Sequence, residues 1–495
     1  MILIKNSLVI DGTGAPRRKA DILIKDGRIV AMGDLKQQQA ETVIDGQGMI
    51  TAPGFIDVNT DSDHYLSLFT DPAQQDFLLQ GVTTIIGGHC GSSLAPLIKG
   101  SLESIRKWAD ISMINVDWKT MGEFLNTLEK LPLGLNFGTL VGHATIRRAL
   151  LGDVLRDLTV SEIEMMRAVT GQALKEGALG VSTGLGYNHA RNTPYAEISM
   201  LAKLAREYNG VYTTHLRNER DGLLGAVSET ISIAKEAGVR TIISHFRALK
   251  GNEAHFEEAL AMIEHADADM WFDAYPFGYS IIPIYTLLPE WAQQGSLEQM
   301  QDLLTASHTR DQILASFADI QGADITLARA PGHDFLVGKT LAQYAKGREL
   351  SVPDALMYLL IETKLKAVVF RNNISFAETT KALLSPRALV ASNSPSLLES
   401  RNVIENERAA KTFSTFINLV AGHPSTPLEW AIHKFTGQAA SVFKLADRGV
   451  LAEGAIADVV LLRGTQAVTV IVGGEIAVKD GAFQGVYNGG IIRRR

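Results

Sequence analysis

The chain has 495 residues, 46% hydrophobic and 20% charged, which is ordinary globular composition but too long for one simple core. A net charge of −7 at pH 7 and a pI near 6.0 exclude the clustered basic surface that nucleic-acid binding requires. A single cysteine, Cys90, rules out an internal disulfide. No apolar run is long enough to span a bilayer, and the start lacks a signal peptide's basic, apolar and cleavage segments, so a cytoplasmic location is expected.

Residues 1–50 read as short strands of alternating polarity joined by Asp-Gly turns such as Asp11-Gly12, Asp26-Gly27 and Asp45-Gly46. The last fifty residues repeat that texture, with strand candidates at 458–462, 467–472 and 475–478. Neither piece buries a sheet alone, so both are expected to pair into one small β-domain, 1–53 plus 440–495. Arg493, Arg494 and Arg495 read as a solvated chain end.

Between these pieces, over 54–439, strand-then-helix texture repeats. Strands are predicted at 55–59, 82–87, 136–141, 178–182, 211–215, 241–245, 270–275 and 388–392, with several helices stopped by glycines such as Gly177, Gly210 and Gly238. About eight parallel strands is the number that closes a (β/α)8, TIM-like barrel. The fold class is therefore α/β, a barrel carrying a small β-sandwich domain built from both chain termini. The stretch from Pro276 to Arg387 exceeds a single crossover, and a lid insertion is expected around 277–350.

Barrels keep their chemistry at the C-terminal ends of the strands, and here those ends are rich in metal-ligand types. They carry Asn59 and Asp61, His89 and Cys90, His143, His215, His245, Asp273 and Tyr275, and Asn393. A lone histidine at a strand end is more often structural, and a lone buried cysteine is usually a small hydrophobe. Convergence of Cys90, His215 and His245 at one rim favours function. A thiolate with two imidazoles suits zinc and leaves a fourth position for water.

These residues sit in motifs that resemble a known family. They include Thr51-Ala-Pro-Gly-Phe-Ile-Asp57, Gly88-His-Cys-Gly91, Val141-Gly-His143, Gly177-Ala-Leu-Gly-Val-Ser-Thr-Gly-Leu-Gly-Tyr187, Thr214-His-Leu-Arg217, Ser244-His245 and the stretch from Asp447 to Asp458. Nearly the whole chain is similar, in order, to the N-acyl-D-amino-acid deacylases (D-aminoacylases) of the amidohydrolase superfamily. The resemblance implies removal of an acyl group from an N-acyl-D-amino acid, with one zinc held tightly by Cys90, His215 and His245. It also implies a small-molecule amide substrate whose carboxylate meets Arg247, Tyr187 and Tyr275, with Arg408 as a further candidate.

The chain departs from the family pattern in three places. The family's His-x-His at the first strand is Asn59-Thr60-Asp61, and its Asp at the eighth is Asn393. An amide is a poor zinc ligand, so the second metal position is expected to be lost. Asn393 also has no exchangeable charge with which to move a proton. Asp61 is the candidate to take over that transfer, Asp63 is a less favoured one, and His143 is a candidate donor to the carbonyl oxygen. His64 is an extra that reads as a solvated loop residue. The leading expectation is a zinc-dependent amidohydrolase that hydrolyses or transfers the acyl group with a non-standard centre. The other is a catalytically altered or inactive member that binds a small acidic ligand.

Overall fold

The structure is a computed structural model, and it describes residues 1–98, 111–152, 154–396, 407–421 and 426–494. Eight parallel strands form the central ring: β1 (Phe55–Asp57), β2 (Val82–Gly87), β3 (Asn136–Thr139, continued by Val141–Gly142) and β4 (Gly180–Gly184). They continue as β5 (Val211–His215), β6 (Thr241–Ile243), β7 (Met270–Ala274) and β8 (Ala388–Val390). Neighbours pair in parallel from β1 to β3 and from the Val141–Gly142 extension of β3 through to β8. Where β8 meets β1, the Asn393 N–H donates to Asn59 O at 2.9 Å and the Asp61 N–H to Ser394 O at 3.1 Å. The Asp57 carboxylate accepts the Ser392 N–H at 3.1 and 3.2 Å.

The strands are short apolar runs because both of their faces are covered. Ile56, Val58, Ile86, Leu140, Leu179, Val211, Ile242 and Leu389 fill the interior. Ala439, Val442 and Phe443 of the helix Gly437–Phe443 join the same cluster. That helix closes the N-terminal end of the ring, where Arg240, just ahead of β6, donates to Ser441 O at 2.7 Å. The opposite end stays open for a site.

Both ends of the chain meet in one nine-stranded sheet. Ile50–Pro53 pairs in parallel with Ile2–Val9 on one side and antiparallel with Val459–Arg463 on the other. The final strand, Ile491–Ile492, leaves that sheet and pairs in parallel with Phe137 and Gly138 of β3. Two of the arginines expected to trail in solvent are therefore tied down. Arg493 reaches Glu129 at 3.0 Å and Arg494 donates to Leu174 O, while Arg495 lies outside the described residues.

The insertion between β7 and β8 has its own core, running from Ile284 to Val369. Its three antiparallel strands are Ser280–Pro283, Val368–Arg371 in the centre, and Ile325–Arg329. It thus extends past the 277–350 stretch expected from sequence, because the central strand comes last. The loop after β6 anchors it: the Lys250 N–H donates to Asn373 O at 2.9 Å and the Ser375 N–H to Ala248 O at 2.8 Å. Among the described residues, no helix is long and apolar enough to cross a membrane.

Backbone geometry at the open rim is unusual. Cys90, His245 and Asn393 all adopt left-handed backbone angles, with φ of 53°, 42° and 47°. Non-glycine residues seldom do so, and such strain gathers at functional sites. The glycines beside Cys90 have a packing reason. A Cβ on Gly88 (φ 77°) would lie 2.3 Å from Leu140 O, and one on Gly91 (φ 78°) 2.7 Å from Gly184 N. They let the end of β2 press against the β3 and β4 backbones, which sets where the Cys90 thiol points. Gly88→Ala combines left-handed strain with a backbone clash and is expected to lower stability by roughly 2–4 kcal/mol. A denaturant titration measuring the midpoint against wild type checks this.

Candidate metal centre

Cys90, His215 and His245 each offer one ligand atom, and these atoms all lie within 4.8 Å of one another. Cys90 Sγ is 3.3 Å from His245 Nε2, and the two imidazoles meet edge to face with ring centroids 4.5 Å apart. Burial first, then the carboxylates of Asp61, Asp273 and Glu219, pushes the Cys90 thiol well above its ordinary pKa. Burial, which outweighs the Glu219 charge, takes His215 down to about 3. A thiol that needs a cation to ionise, beside an imidazole kept neutral, is a donor set that fits zinc.

The three residues face a cavity of about 350 Å³ also lined by Asp61, His64, Tyr187, Glu219, Arg247 and Asn393. Ile281, Ile282 and Pro283 from the insertion form part of its wall. Arg247 donates through Nη2 to Glu219 at 2.9 Å, while its Nε is buried with no hydrogen-bond partner. Tyr187 packs its ring 4.9 Å from that of His215.

Three predicted site residues lie off the cavity wall. His143 Nε2 is 2.7 Å from Glu197 Oε1, in a buried cluster that Arg147 completes with a 3.1 Å bond to the same oxygen. Arg408 lies beneath the rim. Its guanidinium donates to the carbonyls of Ser392 and Asn393 and stacks 3.9 Å from the Tyr275 ring centroid. Tyr275 is 1% exposed and its Oη has no hydrogen-bond partner.

Asn59 is fully buried, and its Nδ2 donates to both Asp273 oxygens at 3.2 and 3.1 Å. Asp273 in turn accepts the His245 N–H at 2.9 Å. The amide at this position thus braces the loop that carries a ligand histidine. Asp63 is buried and accepts the Gly88 N–H at 2.6 Å, while a Cβ on Gly87 would lie 2.8 Å from its carboxyl carbon. Its place is structural.

His64 is a buried ring, not a solvated loop residue. Its Nδ1 lies 3.2 Å from Asp61 Oδ1 and its Nε2 3.0 Å from Ser92 O. Both partners accept hydrogen bonds, so both ring nitrogens carry protons. Burial opposes that charge, but Asp63 and Asp61 outweigh it and push His64 up to about 9. The same ion pair holds the Asp61 carboxyl below its ordinary value against the effect of burial.

Sequence reasoning missed Glu219, four residues beyond His215. Its Oε1 lies 3.3 Å from His245 Nδ1 and its Oε2 3.7 Å from His215 Nε2, besides the Arg247 contact. The i+4 spacing from a ligand histidine was the available signal.

No family model matches the chain. A D-aminoacylase of Alcaligenes xylosoxydans xylosoxydans is 31% identical over 470 residues, covering 93% of this chain and 87% of that protein. The chain belongs to the N-acyl-D-amino-acid deacylase family. The family sits in the amidohydrolase superfamily, hydrolases of carbon–nitrogen bonds other than peptide bonds. The N-acyl-D-glutamate deacylase of Bordetella bronchiseptica, solved with zinc and a phosphonate inhibitor, superposes with a TM-score of 0.83 at 27% identity, covering 99% of each chain. A D-aminoacylase structure described for its binuclear metal centre, with one-metal activation and second-metal attenuation, gives a TM-score of 0.81 at 27% identity, covering 100% of this chain and 99% of that one.

The imidazolium state of His64 has a thermodynamic consequence. With its pKa raised from 6.5 to about 9, the stability it contributes is complete below pH 6.5 and is lost as pH rises through 9. Wild type is expected to lose up to roughly 3 kcal/mol over that window, and His64→Gln to remove this slope. Denaturation at a series of pH values measures it, and a doubly protonated His64 ring in nitrogen NMR at neutral pH is the direct check.

Proposed function

We propose that this chain is a zinc-dependent amidohydrolase that cleaves the acyl group from an N-acyl-D-amino-acid-like amide, using one ion. The observation carrying this reading is the convergence of Cys90, His215 and His245 donors on the cavity that also holds Asp61 and Arg247. Family membership and the zinc-bound relative support it. When bound, zinc supplies Lewis acidity and a water of lowered pKa.

The chain's own residues do the rest. Arg247 binds the substrate carboxylate with the guanidinium edge that Glu219 leaves open, beside the Tyr187 ring, while the buried Tyr275 backs the guanidinium from behind the cavity wall. Asp61 takes the proton released by the attacking water and returns it to the amine nitrogen as the carbon–nitrogen bond breaks. Asn393 has no carboxyl with which to do so. Arg408 acts indirectly, by holding the Ser392 and Asn393 carbonyls in place.

The ion pair with His64 favours a second reading, in which the family chemistry is altered and the cavity binds a small acidic ligand. An Asp61 held below the usual carboxylate range is a weak base. Substitution separates the two. Asp61→Asn should cut kcat by about 10²–10⁴ with zinc content unchanged, as loss of a general acid–base group does. Unchanged turnover removes Asp61 from the mechanism. Zinc-loaded wild type that fails on a panel of N-acyl-D-amino acids, together with Asn393→Asp that succeeds, would establish the second reading.

Ion number is tested separately. Asn59 Nδ2 is committed to Asp273 and Asp61 Oδ1 to His64, which supports a single ion. Metal analysis after dialysis against excess zinc should return one ion per chain. Two ions would overturn the mononuclear reading.

A further inference from the structure

We infer that Glu219 is a positioning residue with two partners, orienting the His245 ligand imidazole and fixing the Arg247 guanidinium, so that metal centre and carboxylate cradle share one side chain. The inference rests on the zinc reading above.

His245 presents opposite ring edges to two different neighbours. Its Nε2 is 3.3 Å from Cys90 Sγ, on the side where the ligand atoms converge, and its Nδ1 is 3.3 Å from Glu219 Oε1. A carboxylate beside Nδ1 favours the tautomer that carries its proton there and leaves the Nε2 lone pair for a metal. The other carboxylate oxygen, Oε2, is 2.9 Å from Arg247 Nη2. With Nη2 engaged, the guanidinium is fixed in rotation and its Nε stays buried without a hydrogen-bond partner. Arg191 and Arg217 also line this cavity, and their partners are Glu290 and Glu229, neither of which is paired with a ligand histidine. Among the described residues, Glu219 alone pairs with both an arginine of the cavity and a ligand imidazole.

The carboxylate–histidine–metal arrangement sets the expected size of the effect. Removing such a partner typically costs 10–100-fold in metal affinity. Glu219→Gln keeps the shape and removes the charge. Its zinc affinity, measured by competition with a chromophoric chelator, should fall 10–100-fold relative to wild type. At saturating zinc, and in an Asp61→Asn background so that the ligand is not consumed, calorimetric binding of N-acetyl-D-methionine should weaken as well, because the Arg247 fork is released.

Both effects are required. A Glu219→Gln protein with wild-type zinc affinity, or with wild-type affinity for N-acetyl-D-methionine at saturating zinc, overturns the two-partner role. A fall in kcat with both affinities unchanged also overturns it, since that result would make Glu219 an acid–base group. If the glutamine variant does not fold, Glu219→Asp keeps the charge on a shorter arm and should lose affinity for both ligands, and wild-type affinity for either one is equally fatal. Wild type that binds no zinc at all is a separate outcome and removes the metal reading itself.

Discussion

A carboxylate shut away from water must be given hydrogen bonds, and three of them in this barrel take theirs from the backbone of a neighbouring strand end. Asp57 accepts from Ser392 N, Asp63 from Gly88 N, and Asp273 from His245 N. Each bond fixes the segment that carries a residue of the cavity wall: Asn393, Cys90 or His245. The three left-handed residues at the rim sit within two residues of those bonds. Strain that would otherwise relax is held in place by these buried carboxyl groups, which set the placement of Cys90 and His245.

Much of this was legible in the sequence. Eight apolar runs ended in polar residues, and the predicted strands 82–87 and 211–215 coincide with β2 and β5. Cys90, His215 and His245 stood out because soft and borderline ligands at strand ends converge only if the barrel closes. Glu219 did not stand out, since Arg217-Asn-Glu-Arg220 reads as a charged, solvated loop when the partners of its carboxylate are distant in sequence. His143 shows the converse. It follows directly on the Val141–Gly142 extension of β3, but the chain turns into helix His143–Leu151 there, and the ring is carried to Glu197 rather than to the cavity. Side-chain direction at a strand end depends on such local turns, which composition and spacing do not encode.

The altered residues make sense as a set. Where the family resemblance implies two imidazoles and a carboxylate, this chain has Asn59, Asp61 and Asn393, with the His64 imidazolium close by. The amide of Asn59 gives Asp273 the donors it needs, and His64 balances the charge of Asp61 and Asp63. Asp61 and Asp273 thus each have a side-chain partner within this cluster.

The nine-stranded sheet also bears on how this protein comes to be folded at all. Val459–Arg463 lies against Ile50–Pro53, and the closing Ile491–Ile492 pair then reaches across to β3. Contacts this remote in sequence carry a large loop-closure entropy and form slowly. The β/α units between them are built mainly of local contacts and are free to assemble early. Sealing the small sheet is then expected to come late, leaving the edges of Ile50–Pro53 and of β3 open until then to pairing with another chain. Productive folding and aggregation therefore compete most directly at these two edges, far from the chemistry.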